Sequence, residues 1–528
     1  MLHLRQSRRP KSRPPGKSRP VNRGKTVPGE EKLYQALDIN GTVAFHALRC
    51  RRFLSFPEKN RLAVIGFQAP CRGLIFLLAG LVAGSLSVTQ GHAQDQAATG
   101  PVYDEFQRWF TDSGLRFELL QTGDAKNSVV TLQEVYAEPH WSENSAMLKP
   151  AFSYGRMRAT LYDDASDTLL CIRQFDTMFA EYVLTEPARN GINRAYEVTV
   201  RVPMPKSKVR LLLEERNSRN EYRPVFETRL DPQDYHIRRD SVTSHDVIFS
   251  LAEPGDPRTH VDVVFLSEGY TDEELPKFRA DVRRMSDFVF SQRPYSEMKD
   301  DFNVRGVFRA SVESGTDLPR ENKYRSTNLN SSFNIFDLNR YLLIEDNHAM
   351  HRMAAQVPYA TIVVLVNEER YGGGAICLDY CVCTTGHTAS PMTLLHEIGH
   401  SFANLADEYT GDVAYSDVYP EGVEPVEPNI TRQLDRDRIK WKAFLTPNVP
   451  LPTPESDEST AKAQQLVGAF EGGGYLTEGI YRPEQSCWMG SLEPGEGFCV
   501  VCREAIRQLV ELQTGRTVSR PLPLDDNQ

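Results

Sequence analysis

The chain has 528 residues, 40% of them hydrophobic and 25% charged, which is ordinary for a globular protein and long enough for two or three cores. The net charge of −10 conceals an asymmetry: residues 1–72 carry 16 Lys+Arg against 4 Asp+Glu, and the remainder carries 45 against 67. A strongly basic protein throughout, of the kind that coats nucleic acid, is therefore excluded.

Residues 1–30 are rich in Arg, Lys, Pro and Ser and cannot form a core, so 1–72 reads as a basic disordered leader. A nucleic-acid arm is one reading of such a run. The apolar stretch Gly73–Leu86 directly behind it argues against that reading, as does Gly91-His92-Ala93 with a small residue at its end. A positive region, a short apolar region and a small-residue cleavage site make a secretory signal over 73–93. Fourteen apolar residues fall short of the ~20 that span a membrane, so a retained anchor is the weaker reading. The expectation is an exported protein, secreted, periplasmic or on the cell surface. Its mature chain would begin near Gln94, with no stable membrane insertion after cleavage and no nucleic-acid partner. The depth of the signal in the chain suggests a true start downstream of Met1, near Leu54.

Residues 105–236 favour strands. Arg156–Tyr162, Thr168–Phe175, Tyr196–Val202 and Lys208–Glu214 are short β-type runs separated by turn-rich segments such as Asp163–Asp167. They predict a β-sandwich accessory domain. A Ser/Asp/His/Pro-rich connector leads into a different regime, assigned to 257–515. Val261–Leu266, Phe302–Phe308 and Ala360–Val366 read as buried strands. Thr271-Asp-Glu-Glu274 opens a long helix to about Phe290 with a capping-box pattern. A further helix is expected over 390–405, with Ser390 as N-cap and Pro391 at its first position, and a closing helix near Val500–Thr514. Strands alternating with helices predict an α/β domain.

The helix over 390–405 contains His396-Glu397-Ile398-Gly399-His400. Histidines four apart share one helix face, so both imidazoles can bind a single Zn²⁺. Glu397 stands beside them as a base for a water activated by the metal. A catalytic zinc takes a third protein ligand. In the metzincin pattern HExxHxxGxxH/D the glycine position here is Ala403 and the ligand position is Ala406, which does not fit. Glu471, followed by three glycines that permit close backbone approach, is the preferred third ligand. Asp407 is the alternative if Asn404 turns left-handed and ends the helix, and Glu408 is a further candidate. Whichever carboxylate does not bind metal can hold a ligand histidine in place. Met489 is a candidate for a Met-turn beneath the metal. His387, Tyr409, Tyr475 and Tyr481 are candidates for oxyanion or substrate contacts, and Tyr371-Gly-Gly-Gly374 for an edge where substrate lies.

Cys171 reads as a lone buried thiol. Cys377, Cys381, Cys383, Cys487, Cys499 and Cys502 cluster in the sequence, and in an exported protein they predict disulfides, with 15 possible pairings. A structural zinc on Cys499-x-x-Cys502 is the alternative, weakened by the missing second Cys pair.

Taken together, the chain resembles the IgA-peptidase-type zinc metallo-endopeptidases with their amino-terminal accessory domain. The likeness rests on Phe265–Thr271, Glu313–Pro319, Val366-Asn367 with Tyr371-Gly372-Gly373, His396–Tyr409, Glu471-Gly472, Gly479–Pro483, Cys487–Met489 and Phe498–Ala505, in that order. It covers about 105–515. The resemblance implies an exported, zinc-dependent endopeptidase of proteins or peptides, with a zincin-like, metzincin-related catalytic domain. It does not imply immunoglobulin A as substrate. The rival expectations are an exported binding protein that keeps a structural zinc, and a zinc hydrolase of small or cell-wall peptides.

Overall fold

The computed structural model describes residues 101–239, 245–411, 418–456, 466–492 and 497–518. The basic leader, the apolar run and the cleavage site lie outside them.

Helix α1 (Pro101–Trp109) leads into β1 (Phe110–Gly123), which pairs antiparallel with β2 (Ser128–Glu138) and with β5 (Arg194–Pro205). A second antiparallel sheet has the order β4-β3-β6-β7, from β3 (Met157–Asp163), β4 (Leu169–Phe175), β6 (Val209–Arg216) and β7 (Tyr222–Leu230). Alternate residues of both sheets meet in one core: Leu115, Phe117 and Leu119 from β1, Val198, Val200 and Val202 from β5, Leu211 and Leu213 from β6. This is the inward half of a period-2 pattern, and it joins two sheets face to face. The four expected strands stand where predicted, to within two or three residues at each end. The short helices α2 (Met178–Tyr182) and α3 (Glu186–Arg189) lie between β4 and β5.

Strands β1 and β2 carry charge on the other face, at Arg116, Glu118 and Glu138. The face of β2-β1-β5 away from the core is not solvated. Arg116 donates to Glu138 at 2.6 Å and Arg201 to Glu138 at 2.8 Å, all three nearly fully buried. Arg201 also donates to the Tyr359 carbonyl at 3.1 Å, and Arg352 pairs with Glu118. Helix α5 (Asn347–Ala354) packs on β5 across this layer. Removing one member of a buried ion network leaves uncompensated charge, which costs about 3–5 kcal/mol. Glu138→Ala, which strands Arg201, is therefore expected to lower the urea midpoint by a corresponding margin in equilibrium unfolding. An unchanged midpoint would show that this network does not hold the layers together.

The second half is built on a six-stranded mixed sheet with the order β14-β15-β13-β9-β10-β8. Its centre is parallel: β15 (Tyr380–Thr384), β13 (Thr361–Val366), β9 (Val261–Glu268) and β10 (Phe302–Phe308). The edge strands β8 (Val247–Ala252) and β14 (Gly373–Ile376) run antiparallel. Helices cover both faces, which explains the unbroken apolar runs of the central strands. Val263, Phe265, Val304, Val363 and Leu365 face α4 (Leu275–Val289), α6 (Ser390–Ala403) and the closing helix Val500–Gln513. Val264, Leu266, Ile362 and Val364 face α5. The capping box is formed, with the Thr271 N–H donating to Glu274 Oε2 at 2.8 Å. Two small hairpins complete the half: β11 (Ser331–Ser332) with β12 (Leu343–Ile344), and β16 (Phe470–Gly473) with β17 (Leu476–Arg482). Among the described residues no helix is long and apolar enough to cross a membrane.

Candidate active site

Helix α6 begins at Ser390, which places its cap one residue earlier than expected. Ala389 takes the cap position, its carbonyl accepting from Thr393 N at 2.9 Å, and Pro391 falls in the first turn, where its missing N–H costs nothing. The helix ends at Asn404, which is left-handed (φ 50°, ψ 36°). The Leu405 N–H reaches back to the Gly399 carbonyl at 3.1 Å and the Asn404 N–H to the His400 carbonyl at 3.0 Å, a Schellman-type ending. That turn folds the next residues back along the helix face and brings Asp407 to the two histidines.

His396 Nε2 and His400 Nε2 are 3.1 Å apart, and Asp407 Oδ1 lies 3.0 Å from the first and 3.3 Å from the second. His396 Nδ1 is 2.9 Å from the Trp488 carbonyl and His400 Nδ1 is 2.6 Å from the Leu405 carbonyl. A carbonyl only accepts, so each Nδ1 carries a proton and donates it. The Nε2 lone pairs are then left facing one another. Asp407 Oδ1 is buried with no hydrogen-bond partner. Three electron-rich atoms converging on one point can hold a cation there. Ligand atoms bound to tetrahedral zinc at 2.0–2.1 Å stand about 3.3 Å from one another, close to the separations seen. Burial pulls the His400 imidazole down, but the Asp407 carboxylate beside it lifts it to about 9. Asp407 itself is buried, yet the same two imidazoles hold it well below the usual carboxylate range. The residues present fit a divalent metal.

Glu397 projects from the same helix into a cleft of about 660 Å³. Burial pushes its carboxyl up, against the pull of His396 and His400. Gly373 of β14 lies alongside: a Cβ there would stand 3.0 Å from Glu397 Oε1 and 2.7 Å from the Thr393 methyl. A larger cavity of about 910 Å³ runs between the sandwich and residues 418–427, but no base-and-ligand set faces it among the described residues.

The structure does not bring Glu471 to the histidines. It is exposed on β16, where it accepts from the Gly479 N–H at 3.0 Å. The glycines after it make the close approach instead: the Gly474 N–H donates to the Asp407 carbonyl at 2.8 Å, and Tyr475 (φ 68°) donates its hydroxyl to Asp407 Oδ2. Strand alternation explains the outcome, since Phe470 is buried and Glu471 must point out.

Two profiles of known families match the chain. One, described as IgA Peptidase M64, matches residues 249–466 and 458–510; the other, described as Peptidase M64 N-terminus, matches 105–227. Those ranges are the mixed-sheet half and most of the two-sheet half. The chain belongs to the M64 peptidase family. It is thereby a member of a metallopeptidase family whose substrates are proteins or peptides. No curated protein matched the chain.

Of the other expected site residues in this M64 peptidase, Tyr409 and Tyr475 line the cleft, their rings 5.4 Å apart. His387 does not: its Nδ1 accepts from the Ala389 N–H at 3.1 Å and its ring meets Tyr371, so it serves the start of α6. Tyr481 does not either, its hydroxyl facing Glu471 at 3.5 Å. Met489 is fully buried beneath α6, and its Sδ would stand 2.8 Å from a Cβ on Gly399, which explains the glycine inside the motif. All seven described cysteines are free, so the expected disulfides are not formed. Cys381 and Cys383 are two apart in β15 and share one buried face, which precludes their pairing with each other.

Two residues escaped the sequence reading. Arg340 sits on the rim of the cleft, its charge felt by Tyr409, Asp407 and Glu397. It lies in a turn with no motif around it. Asn429 is fully buried and pins the loop that delivers Asp407, accepting from the Ala406 N–H at 2.8 Å and donating to the Ala406 carbonyl at 2.9 Å. The sequence signal that existed was Asn404 four residues after His400, the residue type most tolerant of a left-handed cap after glycine.

Proposed function

We propose that this M64 chain is a zinc-dependent endopeptidase whose zinc ligands are His396, His400 and Asp407 and whose general base is Glu397, in a zincin-like catalytic domain. The observation that carries the reading is the convergence of three acceptor atoms, from part-buried His396 and His400 and buried Asp407, beside the Glu397 carboxylate in an accessible cleft. When bound, zinc supplies Lewis acidity toward a peptide carbonyl and lowers the pKa of water toward 7. Glu397 receives the proton of the attacking water and later delivers it to the leaving amine. Tyr475 holds Asp407 in place through Oδ2, and the Trp488 and Leu405 carbonyls hold the two imidazoles in the tautomer that exposes Nε2. Arg340 and Tyr409 line the cleft and are the groups assigned to stabilise negative charge on the carbonyl oxygen. Bare backbone at Gly373 keeps a side chain from crowding Glu397. Proteolysis of unfolded casein by the purified protein is expected to stop with 1,10-phenanthroline and to return with added zinc. Proteolysis indifferent to the chelator would overturn the reading.

Export belongs to the same proposal. It is supported by the basic region, the 14-residue apolar run and the small residue at Ala93. Protein isolated from its native host is expected to begin near Gln94 by amino-terminal mass spectrometry. A mature protein that retains residues 60–90 would sink this part.

A further inference from the structure

A second set of donor atoms lies directly behind the first. Cys487, Cys499, Cys502 and Glu408 are all buried, and one ligand atom from each lies within 4.8 Å of the others. Cys487 Sγ is 3.7 Å from Cys502 Sγ. Glu408 Oε1 is 3.1 Å from Cys502 Sγ and 3.8 Å from Cys499 Sγ. With Zn–S bonds near 2.3 Å, sulfurs on a tetrahedral ion stand about 3.8 Å apart and an oxygen about 3.5 Å from a sulfur.

Glu408 is the observation that points beyond a cluster of thiols. It is 2% exposed. Its Oε1 accepts from Asn429 Nδ2 at 2.9 Å, while Oε2 is buried with no hydrogen-bond partner. Such an atom is costly unless a cation serves it. A disulfide does not solve the problem. Three thiols are an odd number, so any one bond leaves a third sulfur unbridged and Glu408 Oε2 still without a partner. The backbone is also arranged for sulfur that carries negative charge. The N–H groups of Met489 and Cys499 donate to Cys487 Sγ at 3.5 and 3.2 Å, and the Cys502 N–H donates to Cys499 Sγ at 3.3 Å, at the first turn of the closing helix.

We propose that Cys487, Cys499, Cys502 and Glu408 bind a second zinc ion, in a closed four-ligand site distinct from the histidine site. Three soft sulfurs and one carboxylate select zinc over magnesium or calcium. The absence of a second Cys pair, which weakens the sequence signal, is made good by Cys487 from the turn and Glu408 from the loop. The ion holds the catalytic residues from behind. Glu408 follows Asp407 in the chain, and its N–H donates to the Met489 carbonyl at 2.7 Å. Trp488, between Cys487 and Met489, supplies the carbonyl that orients His396. The second zinc thus clamps the Asp407 loop and the Trp488 turn to the closing helix.

The test uses the full chain and reads metal rather than activity. Wild-type protein is expected to hold two zinc ions by plasma emission spectrometry. The His396→Ala/His400→Ala variant is expected to keep one. Cobalt(II) loaded into that variant should show thiolate-to-metal charge-transfer absorption, which Cys499→Ser/Cys502→Ser in the same background should abolish. Should the cysteine variant fail to fold, the zinc count and cobalt spectrum of the histidine variant decide alone. One zinc in the wild type and none in the histidine variant would overturn the second site while leaving the peptidase reading intact. One zinc in both would support the second site and sink the histidine site. A disulfide-linked peptide joining any two of Cys487, Cys499 and Cys502 in a non-reduced digest would also overturn it.

Discussion

Glu397→Gln is expected to keep its zinc and lose at least about 10²-fold in the rate of casein hydrolysis, the lower end of what a positioned general base contributes. The substitution is nearly isosteric. It leaves His396, His400 and Asp407 untouched, and none of their hydrogen bonds runs to Glu397. What it removes is the acceptor for a proton, because an amide is a far weaker base than a carboxylate. The pocket is built for the carboxylate: burial pushes it up toward the range where it can take a proton and return it, and the two imidazoles keep it from rising too far. Metal content and initial rate on the same preparation decide the matter. Full zinc with near wild-type turnover would remove Glu397 from the mechanism. Loss of zinc would instead show that it helps to hold the metal.

Much of the molecule is legible in its residues alone, and the reasons for the failures are physical. The buried parallel strands and the capped helices announce themselves, because apolar runs and capping boxes are local signals. His396 and His400 do so for the same reason, since a helix converts a spacing of four into a shared face. The third carboxylate depends on one backbone conformation, the left-handed turn at Asn404, which sequence can allow but not compel. The triple glycine after Glu471 correctly marks a close approach to the site. It is the backbone of Gly474 and the side chain of Tyr475 that approach, because pleating turns Glu471 to solvent. Strands β1 and β2 hide behind Arg116, Glu118 and Glu138, charges that are buried only because a second layer lies against them. Arg340 and Asn429 carry no local pattern at all. Their importance comes from long-range placement.

Asp407→Ala is expected to lose its active-site zinc, whereas Glu471→Ala should retain it. Removal of Asp407 leaves two protein ligands, fewer than the three that catalytic zinc sites use. It also strands the Tyr475 hydroxyl, whose partner is Asp407 Oδ2. Glu471 offers nothing comparable: it is exposed, and its carboxylate serves the Gly479 N–H and the neighbouring Tyr481 hydroxyl. Its loss should cost little in metal or turnover. Tyr475→Phe makes an intermediate case. It keeps every ligand and deletes only the group that orients one of them, a change that typically costs about 10–100-fold in metal affinity or activity. The three variants should therefore fall in the order Glu471→Ala, Tyr475→Phe, Asp407→Ala, from mildest to most severe. The measurement is a zinc competition titration against a chromogenic chelator, at a chelator strength that leaves the all-protein cysteine site loaded. An Asp407→Ala protein that holds zinc as tightly as wild type would remove Asp407 from the ligand set, and a zinc-depleted Glu471→Ala protein would restore Glu471 to it.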